Sequence, residues 1–177
     1  MVLLAVVCAV HFAVGASVGL SVDEAHYALY AQHLALSYFD HPPLVGWVQW
    51  PLVVLAAPTA VLRLIPEVLW LATALLVFRL GARLQAALPA SGASLHSAHS
   101  AGTWAVLAFA LAPMFHVLGI GLLPDTLLTL WSVAIMGLTW DLMDRATVHK
   151  PGRWLVLGLL LGLAGLSKYT AIFTALV

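Results

Sequence analysis

The stretch from Asp23 to Pro43, DEAHYALYAQHLALSYFDHPP, concentrates the side chains able to do acid–base or ion chemistry. Asp23, Glu24, Asp40, His26, His33 and His41 all fall within it, directly after a long apolar run. At a membrane face such groups can take a proton from an attacking hydroxyl, meet a phosphate or hold a divalent ion. They can also simply end a helix. Ser21 followed by Glu24 is the S-x-x-E capping box, and acids in a first turn suit the helix dipole. This pattern predicts a helix over 24–36 with Asp23, Tyr27, Tyr30 and Leu34 on one face. His26 and His33 lie seven residues apart, whereas a helical metal pair is spaced i,i+4, so both read as bystanders. The double proline after Asp40-His41 stops a helix and stiffens the loop from which those two project. That loop is either a surface turn or a scaffold for a phosphate or divalent ion. Asp125, in Leu123-Pro124-Asp125-Thr126, reads as a helix cap or as a further acid approaching Asp23. Lys168 reads as a snorkelling cation or as a point charge for a lipid phosphate.

The elements that must position these groups are membrane helices. Only 8% of the 177 residues are charged and 63% are hydrophobic, with a mean hydropathy of +1.05. A soluble domain carries about 25% charged residues, so this chain cannot cover a water-facing surface. Its apolar runs are continuous rather than alternating, and a spanning chain must satisfy its own backbone. The expected fold is all-α, a polytopic transmembrane helix bundle of five to six spans. These fall at about 2–22, 65–84, 104–123, 125–143 and 154–177, the last either continuous or broken at Ser167–Tyr169. The first run lacks the positive start of a signal peptide. His11 within it reads as a packed neutral histidine, and Cys8, the only cysteine, as a packed or lipid-facing thiol. The spacings Gly15/Gly19 and Gly158/Gly162 read as helix packing. Ala87–Gly102 reads as a flexible loop and Asp141–Arg153 as a second one. A net charge of +0 gives no reason to expect a nucleic-acid partner.

Leu44–Leu62 decides the topology. Laid along the interface, it leaves Arg79, Arg83, Arg145, Lys150 and Arg153 on the cytoplasmic side, with only Arg63 and Lys168 outside, as the positive-inside rule favours. Pro51, Pro58, Gln49, Trp47 and Trp50 suit an interfacial segment. The N-terminus is then cytoplasmic, and residues 23–64 form a long first external loop with juxtamembrane helices. Asp23, Glu24, Asp40, Glu67 and Asp125 come out on the external face, Asp141 and Asp144 inside.

Four motifs, D-E-A-x-Y, Y-F-D-H-P-P-L, L-P-D-T-L-L and G-L-x-x-L-S-K-Y-T-A, occur in that order from Asp23 to Ala171. Together they resemble the membrane glycosyltransferases of the GT-C class. The group they most resemble is the protein O-mannosyltransferase and aminoarabinose-transferase type, families 39 and 83. The resemblance implies an enzyme of the cell inner or plasma membrane. Such an enzyme moves a sugar from a polyprenyl-phosphate carrier to a protein, lipid A or other glycan acceptor at the external face. It implies Asp23 as the catalytic residue, a general base on the acceptor hydroxyl or a group that positions it, supported by Glu24. Tyr38, His41, Lys168 and Tyr169 are implied at the carrier phosphate, and Asp40 and Asp125 at a divalent metal ion in members that use one. Aminoarabinose-transferase members carry a lysine where His41 stands. Enzymes of this type have many more helices, so residues 1–177 are expected to be an N-terminal part that is inactive alone. The competing readings are a transporter or channel subunit whose acids line an ion path and a non-catalytic membrane scaffold.

Overall fold

The computed structural model describes residues 2–88, 95–143 and 148–176, and among these every regular element is helical. Helix α1 spans Val2–Ser17, α2 Val22–Gln32, α3 Leu44–Val54, α4 Thr59–Leu62 and α5 Leu64–Ala86. They are followed by α6 Leu95–Leu111, α7 Pro113–Ile120, α8 Pro124–Leu142 and α9 Pro151–Ser167. A 3-10 turn, Tyr169–Ala171, and a last short helix α10, Ile172–Ala175, end the described chain. Asp144 and Arg145, and residues 89–94 of the expected linker, lie outside the described residues.

Several expected spans prove to be broken. Thr59–Ala86 is the one described helix run of 28 residues long and apolar enough to cross a membrane by itself. The expected span 2–22 is α1 ending at Ser17 and turning by 82° into α2; the expected span 104–123 is α6 and α7, bent by 75°. Counting each bent pair as one crossing gives up to three. The second break has a local cause. Pro113 supplies no N–H to continue α6, and Ala112 before it sits in the extended region at φ −80°, ψ 116°. The final segment breaks at Lys168, extended at φ −156°, ψ 139°. α3 has 11 residues, about 16 Å of helix against the roughly 30 Å of a hydrocarbon core. It is too short to span. Many large apolar side chains face outward, including Val2, Leu155 and Phe173, which marks the bundle as membrane-associated.

The stretch expected as a flexible loop, Ala87–Gly102, is already helical from Leu95. Gly102 in it serves contact rather than flexibility: a Cβ there would meet the Phe78 carbonyl oxygen at 2.7 Å, so the glycine lets α6 lie directly on α5. Of the paired glycines, Gly15 is closely packed as expected, since a Cβ there would meet Arg63 Cδ at 3.0 Å, whereas a Cβ on Gly19, Gly158 or Gly162 would meet nothing within 4 Å.

His11 is not an isolated packed histidine. Its Nδ1 lies 3.0 Å from Glu67 Oε2 and its Nε2 2.8 Å from His116 Nδ1, joining α1, α5 and α7. Trp70 packs edge-on to the His11 ring. Glu67 therefore belongs to this internal tie and not to the group of acids around the first loop.

The α1–α2 bend is held by Arg63. Its guanidinium donates Nη1–H bonds to the Gly15 and Val18 carbonyls and an Nη2–H bond to that of Gly19, the acceptors that the end of α1 leaves without intrahelical donors. Its Nε and Nη2 donate to Glu24 Oε1 at 2.9 Å and Oε2 at 2.8 Å. Glu24 in turn accepts the Ser21 N–H at 2.9 Å while Ser21 Oγ accepts the Glu24 N–H at 3.3 Å, so the capping box read from sequence is formed. Both charged side chains are buried. Truncating one partner of such a pair costs about 3–5 kcal/mol because the other charge stays buried. Arg63→Met is expected to lower the thermal unfolding midpoint of the purified full-length protein by several degrees, and Glu24→Gln, which keeps an acceptor oxygen, by less. Equal midpoints for wild type and Arg63→Met would contradict this role.

Candidate active site

Helix α2 arrays Asp23, His26, Tyr27 and Tyr30 along its length, and it is shorter than the sequence pattern suggests, ending at Gln32. It packs on α3 closely enough that a Cβ on Gly46 would meet Tyr30 Cβ at 2.8 Å. This contact buries Tyr27 and Tyr30 with Leu44, Val45, Leu122 and Leu127. The chain then doubles back through residues 33–43. Tyr38 stacks flat on Tyr30, ring centroids 3.7 Å apart and planes 2° from parallel. Its hydroxyl lies 2.8 Å from the Tyr30 carbonyl oxygen and 3.0 Å from that of His33, and accepts the Ala35 N–H at 3.0 Å. The Tyr38 hydroxyl, implied at a carrier phosphate, is thus committed to closing the end of α2.

That return brings Asp40 onto α2. Tyr30 donates its O–H to Asp40 Oδ1. Asp40 Oδ2 lies 3.0 Å from His41 Nδ1 and 3.4 Å from His26 Nε2. His26 Nε2 is also 2.9 Å from the Tyr30 hydroxyl. His26 is therefore part of the cluster and not a bystander; one helical turn separates it from Tyr30, a spacing that makes side chains neighbours. His33 remains exposed at the C-cap of α2. The Tyr30 hydroxyl is the largest influence holding the Asp40 carboxyl down at about 2; desolvation opposes it, and His41 and then His26 add to the lowering. For Glu24, burial works to raise the carboxyl, but the Arg63 and Ser21 hydrogen bonds outweigh it and keep it below the usual range.

Asp125 and Lys168 form a second pairing. Asp125 sits one residue inside α8, whose N-cap is Leu123, so it is not the cap. Lys168 Nζ donates to its two carboxylate oxygens at 2.7 and 2.8 Å from the break after α9. Next to Lys168, the Tyr169 hydroxyl lies 3.4 Å from Ser37 Oγ, bridging the last helical segment to the first loop. Tyr27 stands between the groups. Burial and then the negative charges of Asp23, Asp40 and Asp125 push its phenol up to about 12. His41 Nε2 is 3.5 Å from that hydroxyl. Asp23 is exposed and has no hydrogen-bond or ion-pair partner among the described residues.

Of the residues singled out from sequence, Asp23, Asp40, Asp125 and His41 thus lie near one phenol, with Lys168 joined to them through Asp125, whereas Glu24 is turned to Arg63. Sequence reading missed the part of Tyr27, Tyr30 and His26, and it treated Arg63 only as a marker of sidedness. Among the described residues no three His, Cys, Asp or Glu side chains converge to hold a metal ion. Asp125 is paired with the Lys168 ammonium.

The Asp40 carboxyl lies below its ordinary value of about 3.9. Its ionised form favours the folded cluster in full above about pH 4, and that contribution is lost as the pH falls through the folded value. Tyr30→Phe removes the largest cause. We expect it to move the Asp40 titration up towards the ordinary carboxylate value, read by 13C NMR of labelled aspartate; an unmoved titration would remove Tyr30 from the network.

No known protein family profile matches the chain, and no solved structure matches it. It is 30% identical over 154 residues to the lipid A galacturonosyltransferase RgtD of Rhizobium johnstonii, an alignment that takes in 86% of this chain and 29% of that protein. The chain thus spans less than a third of the curated relative it matches, and its similarity is to a glycosyltransferase.

Proposed function

We propose that this chain forms part of a multi-pass membrane glycosyltransferase that moves a sugar from a polyprenyl-phosphate carrier to an acceptor hydroxyl. In this reading α2 and the loop 33–43 lie at the external face and the N-terminus is cytoplasmic. The GT-C relationship and the carrier are part of the proposal. The observation that carries it is the contrast among the acids beside Tyr27. Asp40 is engaged by Tyr30, His41 and His26, and Asp125 is matched by Lys168. Asp23 alone offers an exposed carboxylate without a protein partner among the described residues.

The division of labour follows from that contrast. Asp23 takes the proton from the acceptor hydroxyl as its oxygen attacks the anomeric carbon. The bond from that carbon to the carrier phosphate breaks, and the electron pair leaves with the phosphate oxygen. Lys168 binds the carrier phosphate, with Tyr169 beside it and His41 across Tyr27. Asp125 holds Lys168 in place until the phosphate arrives. Glu24 supports Asp23 indirectly, since its bonds to Arg63 and Ser21 fix the first turn of α2. Support also comes from the similarity to a lipid A galacturonosyltransferase.

An ion-path reading would draw on the His11–Glu67–His116 tie, which lies among apolar helices as such a path requires. The tie is packed shut. A Cβ on Gly119 would meet His11 Cε1 at 2.6 Å, and the cavity beside Trp70 and Phe115 measures about 10 Å³, at the limit for one water.

In membranes containing the full-length protein, Asp23→Asn is expected to slow transfer of radiolabelled sugar from polyprenyl phosphate by about a hundredfold or more, as loss of a general base does. Undiminished transfer by a well-expressed variant would end the claim for Asp23. Lys168→Met is expected to raise the KM for the carrier about tenfold, the loss of one charge-assisted contact. Slower turnover at an unchanged KM would assign Lys168 to the transition state instead.

A further inference from the structure

A second cavity lies at the other end of the bundle and takes no part in the chemistry above. It measures about 520 Å³ and opens between α1, α5 and α6, within the range of roughly 300–1,000 Å³ typical of ligand sites. Leu4, Ala74, Phe78 and Val106 line its body, and Arg79 and His99 stand at its edge. Arg79 is exposed and has no ion-pair partner among the described residues. Arg83 and Arg153 differ from it: Arg83 pairs with Asp141, and Arg153 Nη1 lies 3.2 Å from Asp141 Oδ2. An apolar slot ending in an unmatched guanidinium fits an amphiphile with one hydrocarbon chain inside and an anionic group at the mouth.

The position separates this cavity from the acid cluster. Arg79 follows Arg63 by sixteen residues, about 24 Å along α5. A headgroup at Arg79 therefore belongs to the membrane face opposite Asp23 and Asp40. Basic residues gather there, and anionic lipid attracts them.

We propose that this cavity holds one acyl chain of an anionic membrane phospholipid, with its phosphate on Arg79 and His99 at the rim. The site is independent of the sugar-transfer reading. Its test uses full-length protein incorporated into nanodiscs of equal phosphatidylglycerol and phosphatidylcholine, then released into detergent for native mass spectrometry. One phosphatidylglycerol per protein is expected to be retained in preference to phosphatidylcholine. Arg79→Gln, at an exposed position, should lower that retention roughly tenfold. Thr103→Trp, which narrows the cavity from its exposed side, should remove it at an unchanged thermal midpoint. Equal retention of the two lipids, wild-type retention by Arg79→Gln, no retained lipid, or displacement by equimolar polyprenyl phosphate would each overturn the proposal.

Discussion

The structure depends first on the burial of one cation. Arg63 carries a guanidinium with several donors into a region where few groups could satisfy them. The open end of α1 offers the Gly15, Val18 and Gly19 carbonyls, and Glu24 offers a carboxylate. A planar guanidinium can serve both at once, which a lysine ammonium could not do with the same fork geometry. The consequence is mechanical. The chain turns by 82° within a few residues of Ser17, and the axis of α2 is set by the bonds that also satisfy the end of α1. Everything carried by α2 inherits its orientation from this junction.

The acids near that junction are stabilised in different ways, and their differences decide what each can do. Glu24 is enclosed with its cation. Asp125 faces a lysine from a distant helix. Asp40 is reached by a phenol and two imidazoles. Asp23 lies one residue from Glu24 but points its chemistry outward, because adjacent residues on a helix do not share a face. Two neighbouring carboxylates thus divide into one that builds the fold and one left exposed.

Part of the local framework was legible. The Ser21–Glu24 box follows from neighbouring residues, the segment read as Leu44–Leu62 ends its first helix at Val54, and the break at Lys168 is one of the two alternatives the sequence left open. The misread elements are those in which the same residue types serve distant contacts. Gly102 belongs to a small-residue run that looks like a linker, yet its missing Cβ is what α5 requires. Pro113 was hidden by the apolar residues on both sides, although its missing N–H was enough to break a span. His11 looked solitary because Glu67 and His116 are 56 and 105 residues away.

Sequence by itself determined the class of the molecule. With 8% charged residues and 63% hydrophobic ones, the chain must bury its backbone bonds in helices and meet lipid with most of its surface. It also determined which side chains could do chemistry, since few others are ionisable. Tertiary structure alone decided which of them meet. Pairing Lys168 with Asp125, Arg63 with Glu24 and Asp40 with Tyr30 depends on helix bends and on how far α2 leans over α3. Those are set by contacts between residues far apart in the chain, and a local spacing pattern carries no information about them.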